Sequence, residues 1–132
     1  MLSAFPAMPV LAVTDLDRAR TFYEGTLGLS SAGPTIEGVI YDAGGVRLLV
    51  YPSSYAGTNK ATAMSFDVPW DSFAAEVENL RLKGVQFQTF DMEGLTWNDG
   101  VAEGDGMRSV WFADPDGNVL NVEAHTEAGV QQ

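Results

Sequence analysis

Few residues in this chain have chemical reach. It contains no cysteine and a single histidine, His125. Disulfides, thiolate metal sites and cysteine nucleophiles are therefore excluded, and a histidine-based triad has one base to draw on. The most suggestive grouping is Asn121, Glu123 and His125. They alternate, so in a strand they share one face. The amide and the carboxylate could orient a polar guest; acid–base work would need Glu123 and a second carboxylate, and a lone carboxylate with a histidine makes only a weak metal site. The plainer reading is that Glu123 lines a wet surface and His125 is exposed at a fraying end. No Gly-x-Ser-x-Gly elbow and no Gly-rich phosphate loop occurs. The acidic pairs Asp15/Asp17 and Glu76/Glu78 read as helix-start or solvated charges.

A second set of residues suits recognition rather than reaction. Trp111 lies in an apolar run with Ser109 two residues before it, on the same face by alternation. Trp111 and Phe112 must point to opposite sides of their strand. We assign Trp111 to the open side, with the alternative that both are core. Tyr51 ends a comparable run earlier in the chain, and Trp97 sits with Met92 in the Gly- and Asp/Glu-rich stretch 90–106. Aromatic walls with a few polar groups are how small-molecule sites are usually lined. The stretch 90–106 reads as an irregular loop, either a lid over a ligand or a contact with a second subunit.

The elements that must position these residues follow from periodicity. Val10 to Thr14 is a short apolar strand; Asp15 is a candidate N-cap; Leu16, Ala19, Phe22, Tyr23 and Leu27 form a helical stripe; Gly28 stops it. About 55 residues later the same grammar recurs: strand Met64 to Val68, candidate cap Asp71, stripe Phe73, Val77, Leu80, and stop Gly84. After the first helix, a strand near Leu29 to Ala32 precedes a hairpin whose arms, Val39–Asp42 and Val46–Tyr51, flank Gly44-Gly45. After the second, Val85 to Phe90 reads as a strand, and Val110–Phe112 and Val119–Glu123 flank Asp114-Pro115-Asp116-Gly117-Asn118. Each half is one strand, one helix and three strands. Such a unit leaves the sheet face opposite its helix open. The stretch from Thr126 to Gln132 loses periodicity and reads as a frayed tail.

Composition bounds the partners. The chain has 132 residues, 18 acidic against 7 basic, and a formal charge of −11. Double-stranded nucleic acid and anionic membranes are poor partners for that surface, whereas a neutral or cationic small molecule is compatible with it. No apolar run approaches the roughly 18 residues of a membrane span, and Met1 to Pro9 has no basic stretch of the kind that opens a signal peptide. The expectation is a cytoplasmic protein of one domain, 1–132.

Three pieces of sequence resemble the vicinal-oxygen-chelate superfamily, the glyoxalase, bleomycin-resistance and extradiol-dioxygenase group. They are Val13-Thr14-Asp15 with Ala19, Phe22-Tyr23 and Leu27-Gly28; Tyr41-Asp42-Ala43-Gly44-Gly45; and Trp111-Phe112-Ala113-Asp114-Pro115-Asp116-Gly117-Asn118. The resemblance implies an α+β fold of two tandem βαβββ modules, 5–57 and 60–126, with mixed sheets curling around a cleft, helices outside, and often a homodimer. It also implies metal-ligand positions, which fall here on Met8, Leu49, Ala63 and Asn121. Methionine sulfur is too soft for the usual ions, and alanine and leucine have no donor. Val122-Glu123-Ala124-His125 faintly resembles the last strand of fosfomycin-resistance relatives, so Glu123 is the alternative ligand. The expected site is a metal-free, cofactor-free cleft lined by Met8, Leu49, Tyr51, Ala63, Trp97, Ser109, Trp111, Asn121 and Glu123, binding or sequestering a small molecule. The competing expectation is a metal-dependent lyase, dioxygenase or thiol transferase, which would need a Lewis acid.

Overall fold

The computed structural model describes residues 1–126, so the expected tail beyond Thr126 lies outside the described residues. The fold is α+β, with two tandem βαβββ-like modules. In the first sheet, β1 (Val10–Val13), β2 (Ser30–Pro34), β3 (Val39–Ala43) and β4 (Val46–Pro52) lie in the order β1-β4-β3-β2. β1 runs parallel to β4, and the other neighbours are antiparallel. In the second, β5 (Thr62–Asp67), β6 (Thr96–Asn98), β7 (Val101–Gly104), β8 (Met107–Ala113) and β9 (Val119–His125) lie in the order β5-β9-β8-β7-β6, again with the first strand parallel to the last.

Two compact units result. One is Met1–Lys60 together with Pro115–Asn118; the other is Ala61–Asp114 with the chain from Val119 on. Pro115–Asn118 of the Asp-Pro-Asp-Gly-Asn turn thus belong to the first unit although the turn joins strands of the second. Its Asp116 carboxylate, 4% exposed, accepts from the Thr14 backbone N–H at 3.0 Å, from the Thr14 hydroxyl, and from Arg18 at 3.1 Å. Asn118 Nδ2 donates to the Ala12 carbonyl at 2.9 Å. These contacts satisfy backbone groups where β1 hands over to its helix, which would otherwise need water or a cap.

That helix, α1 (Leu16–Arg20), starts as expected, with the Asp15 carboxylate accepting from Arg18 N at 3.2 Å. It then widens into a π-turn, Thr21–Thr26, in which Leu27 N donates to Phe22 O, five residues back, at 2.9 Å. Gly25, a poor helix former, lies within that turn, and Gly28 at φ +72° ends it. Ala19 and Tyr23 are buried, and Tyr23 stacks on Tyr41 of β3 at 5.9 Å. This fixes the helix side of the sheet as that of Leu11, Val13, Val39, Tyr41, Leu48 and Val50, all buried. Gly38 must be glycine, because a Cβ there would lie 2.2 Å from the Val50 carbonyl oxygen and 2.9 Å from Tyr51 Cα.

The second helix departs from expectation at its start. Asp71 is not the N-cap. The chain leaves Pro69 into a 3-10 turn, Trp70–Ser72, and only then enters α2 (Phe73–Leu82), whose boundary residue Ser72 makes no side-chain cap. Asp71 sits inside that turn rather than in the extended conformation a capping residue adopts. The stripe Phe73, Val77, Leu80 is buried, and Gly84 at φ +83° closes the helix.

Two further expectations are overturned. Val85 to Phe90 is not a strand: its ladder contact is one antiparallel bridge, Gln88 to Trp111. The place beside β8 is taken instead by a hairpin, β6–β7, formed within the stretch read as irregular loop. Its turn is Asp99-Gly100, at φ +50° and +82°, the positive-φ pair that matches the twist of a two-residue hairpin.

Candidate functional site

On β8, Arg108, Val110 and Phe112 alternate with Ser109, Trp111 and Ala113. The Arg108 guanidinium lies over the Trp70 ring at 4.1 Å and the Phe73 ring at 4.9 Å, which puts α2 on the Arg108 side. Phe112 is on that side, 6.4 Å from Phe87. Ser109 and Trp111 therefore face away from α2.

Cross-strand register assembles the opposite face in two rows. One runs Trp97, Ala102, Ser109, Glu123, Asp67 across β6, β7, β8, β9 and β5. The next runs Trp111, Asn121, Ser65. Trp97 is not in a loose lid. Its ring lies 5.8 Å from Trp111 and 5.3 Å from Phe90, and Phe90 meets Trp111 edge-on at 4.8 Å. Three rings thus form one apolar platform, with Trp111 buried at 8% exposure and Phe90 38% exposed. The edge-on and tilted geometries are those that aromatic quadrupoles favour.

Beside the platform lies a directed polar chain. Asn121 Nδ2 donates to the Val110 carbonyl at 3.0 Å, which fixes the amide orientation. The same nitrogen donates to Ser109 Oγ, and Oδ1 accepts from Ser65 Oγ. Asn121 and Ser109 are buried, 3% and 0% exposed, so these bonds avoid the cost of unpaired polar groups. Further along β9, His125 Nε2 lies 3.6 Å from Glu123 Oε2, with about 30% exposure on each side chain. His125 is a strand residue paired with Met107, not a frayed end.

The remaining predicted residues are placed as follows. Ala63 falls in the register irregularity between Thr62 and Met64 and has no cross-strand partner. In the first module, Leu49 and Tyr51 lie on the sheet face opposite α1, paired with Val10 and Ala12. Leu49 is buried and Tyr51 half-buried. Met8 precedes β1 and is 39% exposed. Sequence reasoning missed Ser65, Asp67 and Phe90. Alternation in Met64-Ser65-Phe66-Asp67 carried the signal for the first two; Phe90, outside any strand, had none.

The four ligand positions that the resemblance implies do not supply the donors of a divalent-ion site. Of the four implied ligand positions, Leu49 and Ala63 offer no donor atom, Met8 offers a soft sulfur, and the Asn121 amide oxygen is already engaged by Ser65. Among the described residues no group of three or more His, Cys, Asp or Glu side chains could hold a metal ion.

A paired βαβββ architecture, with a helix on one face of each sheet, defines the vicinal-oxygen-chelate class of fold. The family model for the Glyoxalase/Bleomycin resistance protein/Dioxygenase superfamily matches residues 6–122, and the chain belongs to that superfamily. Among solved structures it is similar to the fosfomycin resistance protein FosX of Listeria monocytogenes, in a complex with Mn(II) and sulfate, with TM-score 0.72, 13% identity, and 96% and 94% of the two chains covered. It is also similar to a glyoxalase/bleomycin resistance protein/dioxygenase from Alicyclobacillus acidocaldarius, with TM-score 0.70, 17% identity, and 93% and 92% covered. An integron cassette protein from the metagenome of the Halifax Harbour sewage outfall gives TM-score 0.66, 19% identity, and 91% and 97% covered. Comparison with curated protein sequences gave no match. Among the described residues, no helix is long and apolar enough to cross a membrane.

Proposed function

We propose that this protein binds or sequesters a small organic molecule without a resident metal ion, on the sheet face that carries Trp111. The observation behind this reading is the platform of Trp111, Phe90 and Trp97 beside an Asn121 whose amide is spent on internal hydrogen bonds. An apolar surface gains about 25 cal/mol per Å² on covering, while Ser65 and Glu123 are placed to orient a guest. In the first module Tyr51 and Met8 would offer a second ligand-facing surface, with the buried Leu49 on the same sheet face as Tyr51, and Ala63 belongs to the edge strand of the platform's sheet. A single domain of modules 5–57 and 60–126, acting in the cytoplasm as a homodimer, belongs to the same proposal.

Titration with indole derivatives, followed calorimetrically, tests it. Trp111→Ala should weaken binding by about 1–3 kcal/mol, the loss typical of removing a stacking ring. Unchanged affinity overturns the reading. The enzyme alternative, a lyase, dioxygenase or thiol transferase, has the Glu123–His125 pair in its favour. A rise of several degrees in Tm with manganese or zinc, abolished by Glu123→Gln, would favour it instead, since specific binding stabilises the native state.

A further inference from the structure

The polar chain beside the platform has a direction, and the direction selects a guest. The Val110 carbonyl can only accept, so Asn121 must turn its Nδ2 toward it and its Oδ1 toward Ser65. Oδ1 can only accept, so the Ser65 hydroxyl must spend its proton on Asn121. Ser65 is exposed, and what it has left to offer a ligand is lone pairs. The neighbouring row on the same face ends in Glu123 and Asp67, register partners and acceptors when ionised. Glu123 has 29% of its side chain exposed, and Asp67 is exposed. The hydroxyl proton of Ser109 is buried with its residue, 0% exposed, and out of reach. Of the accessible polar groups flanking the rings on β5 and β9, Ser65, Asp67 and Glu123 thus accept and do not donate, while the donors on this face, the exposed Thr62 hydroxyl opposite Val119 and His125, stand at its two ends.

We propose that this face recognises a protonated amine carried on an aromatic body, the rings holding the body while Ser65 and Glu123 take the ammonium hydrogens. The inference rests on the binding reading above. An ammonium group is three donors and no acceptor, which matches the row. A carboxylate or phosphate guest would meet acceptors and negative charge.

Three probes sharing one ring separate the outcomes: tryptamine, 3-methylindole and indole-3-propionate, titrated calorimetrically into the full chain at low and moderate salt. Tryptamine should bind at least tenfold tighter than 3-methylindole, and indole-3-propionate most weakly. Glu123→Gln should cost tryptamine about tenfold, and Ser65→Ala a few-fold, with 3-methylindole unaffected. Glu76→Gln, on the surface of α2, removes the same charge elsewhere and should change nothing; an equal loss there would mean that tryptamine answers only to net charge, and would overturn the proposal. Equal affinity for all three probes, or preference for the propionate, overturns it while leaving the aromatic-face reading intact. If none of the three binds, the aromatic-face reading fails and this one with it.

Discussion

Asp116 shows how much one side chain can organise. A single carboxylate oxygen serves the Thr14 backbone N–H, the Thr14 hydroxyl and Arg18, at a position 4% exposed. Hydrogen bonds to a charged group contribute more than neutral ones, so Asp116→Ala should destabilise the protein by about 2–3 kcal/mol in urea unfolding. Arg18 is half-exposed, and removing it alone should cost under about 1 kcal/mol, as for exposed ion pairs. Tyr41 makes a different residue-scale case. Burial, and then its 2.8 Å hydrogen bond to Glu24, push the phenol above its ordinary range. A folded-state pKa raised in this way means stability fully present below the unfolded value near 10 and lost as pH rises beyond it. Wild-type Tm should therefore fall more steeply above pH 10 than that of Tyr41→Phe; parallel curves would refute this. Glu24, held below the usual carboxylate range by Arg20 and then by Tyr41, acts at the other end. Its contribution is present above the unfolded carboxylate pKa and fades as pH falls through the folded one.

At the scale of elements, the two helix starts allow a paired test. Asp15 caps α1 directly, whereas Asp71 lies inside a 3-10 turn ahead of α2. Asp15→Ala should cost about 1 kcal/mol and Asp71→Ala close to nothing, judged by denaturant midpoints at constant slope. The difference also marks what was legible in the sequence. Strand, stripe and glycine stop recur in both halves because each answers to a short-range rule, burial period or positive φ. Acidic and glycine density around Trp97 masks the Asp99-Gly100 turn signal of the β6–β7 hairpin in the sequence. Val85 to Phe90 has strand composition, but β7 holds the place beside β8, and pairing competition between segments is a tertiary effect that composition does not encode. In the site, alternation alone sufficed to send Trp111 and Asn121 to one face. The platform needed Phe90 as well, and the amide's direction needed the Val110 carbonyl; both depend on chain paths visible only in three dimensions.

On the scale of the whole molecule, the two modules are not interchangeable. The second unit holds its five-stranded sheet within the chain from Ala61 onward. The first borrows Pro115–Asn118 from a point far beyond its own last strand. Cutting at Lys60 would leave the Thr14 N–H, the Arg18 guanidinium and the Ala12 carbonyl without their partners at the start of α1. Fragments of such size bury only about 60% of their unfolded surface and are marginal in any case, so the informative quantity is the contrast between them. Fragment 61–126 should keep dispersed amide resonances and a measurable unfolding transition. Fragment 1–60, of similar length, should show neither, although its sheet contains all four of its strands. Joining a segment carrying Asp116 and Asn118 to fragment 1–60 through a flexible linker should restore order, and the same construction with both residues changed to alanine should not. A cooperative melt from unaided 1–60 would mean that the borrowed turn is incidental to the first module's stability.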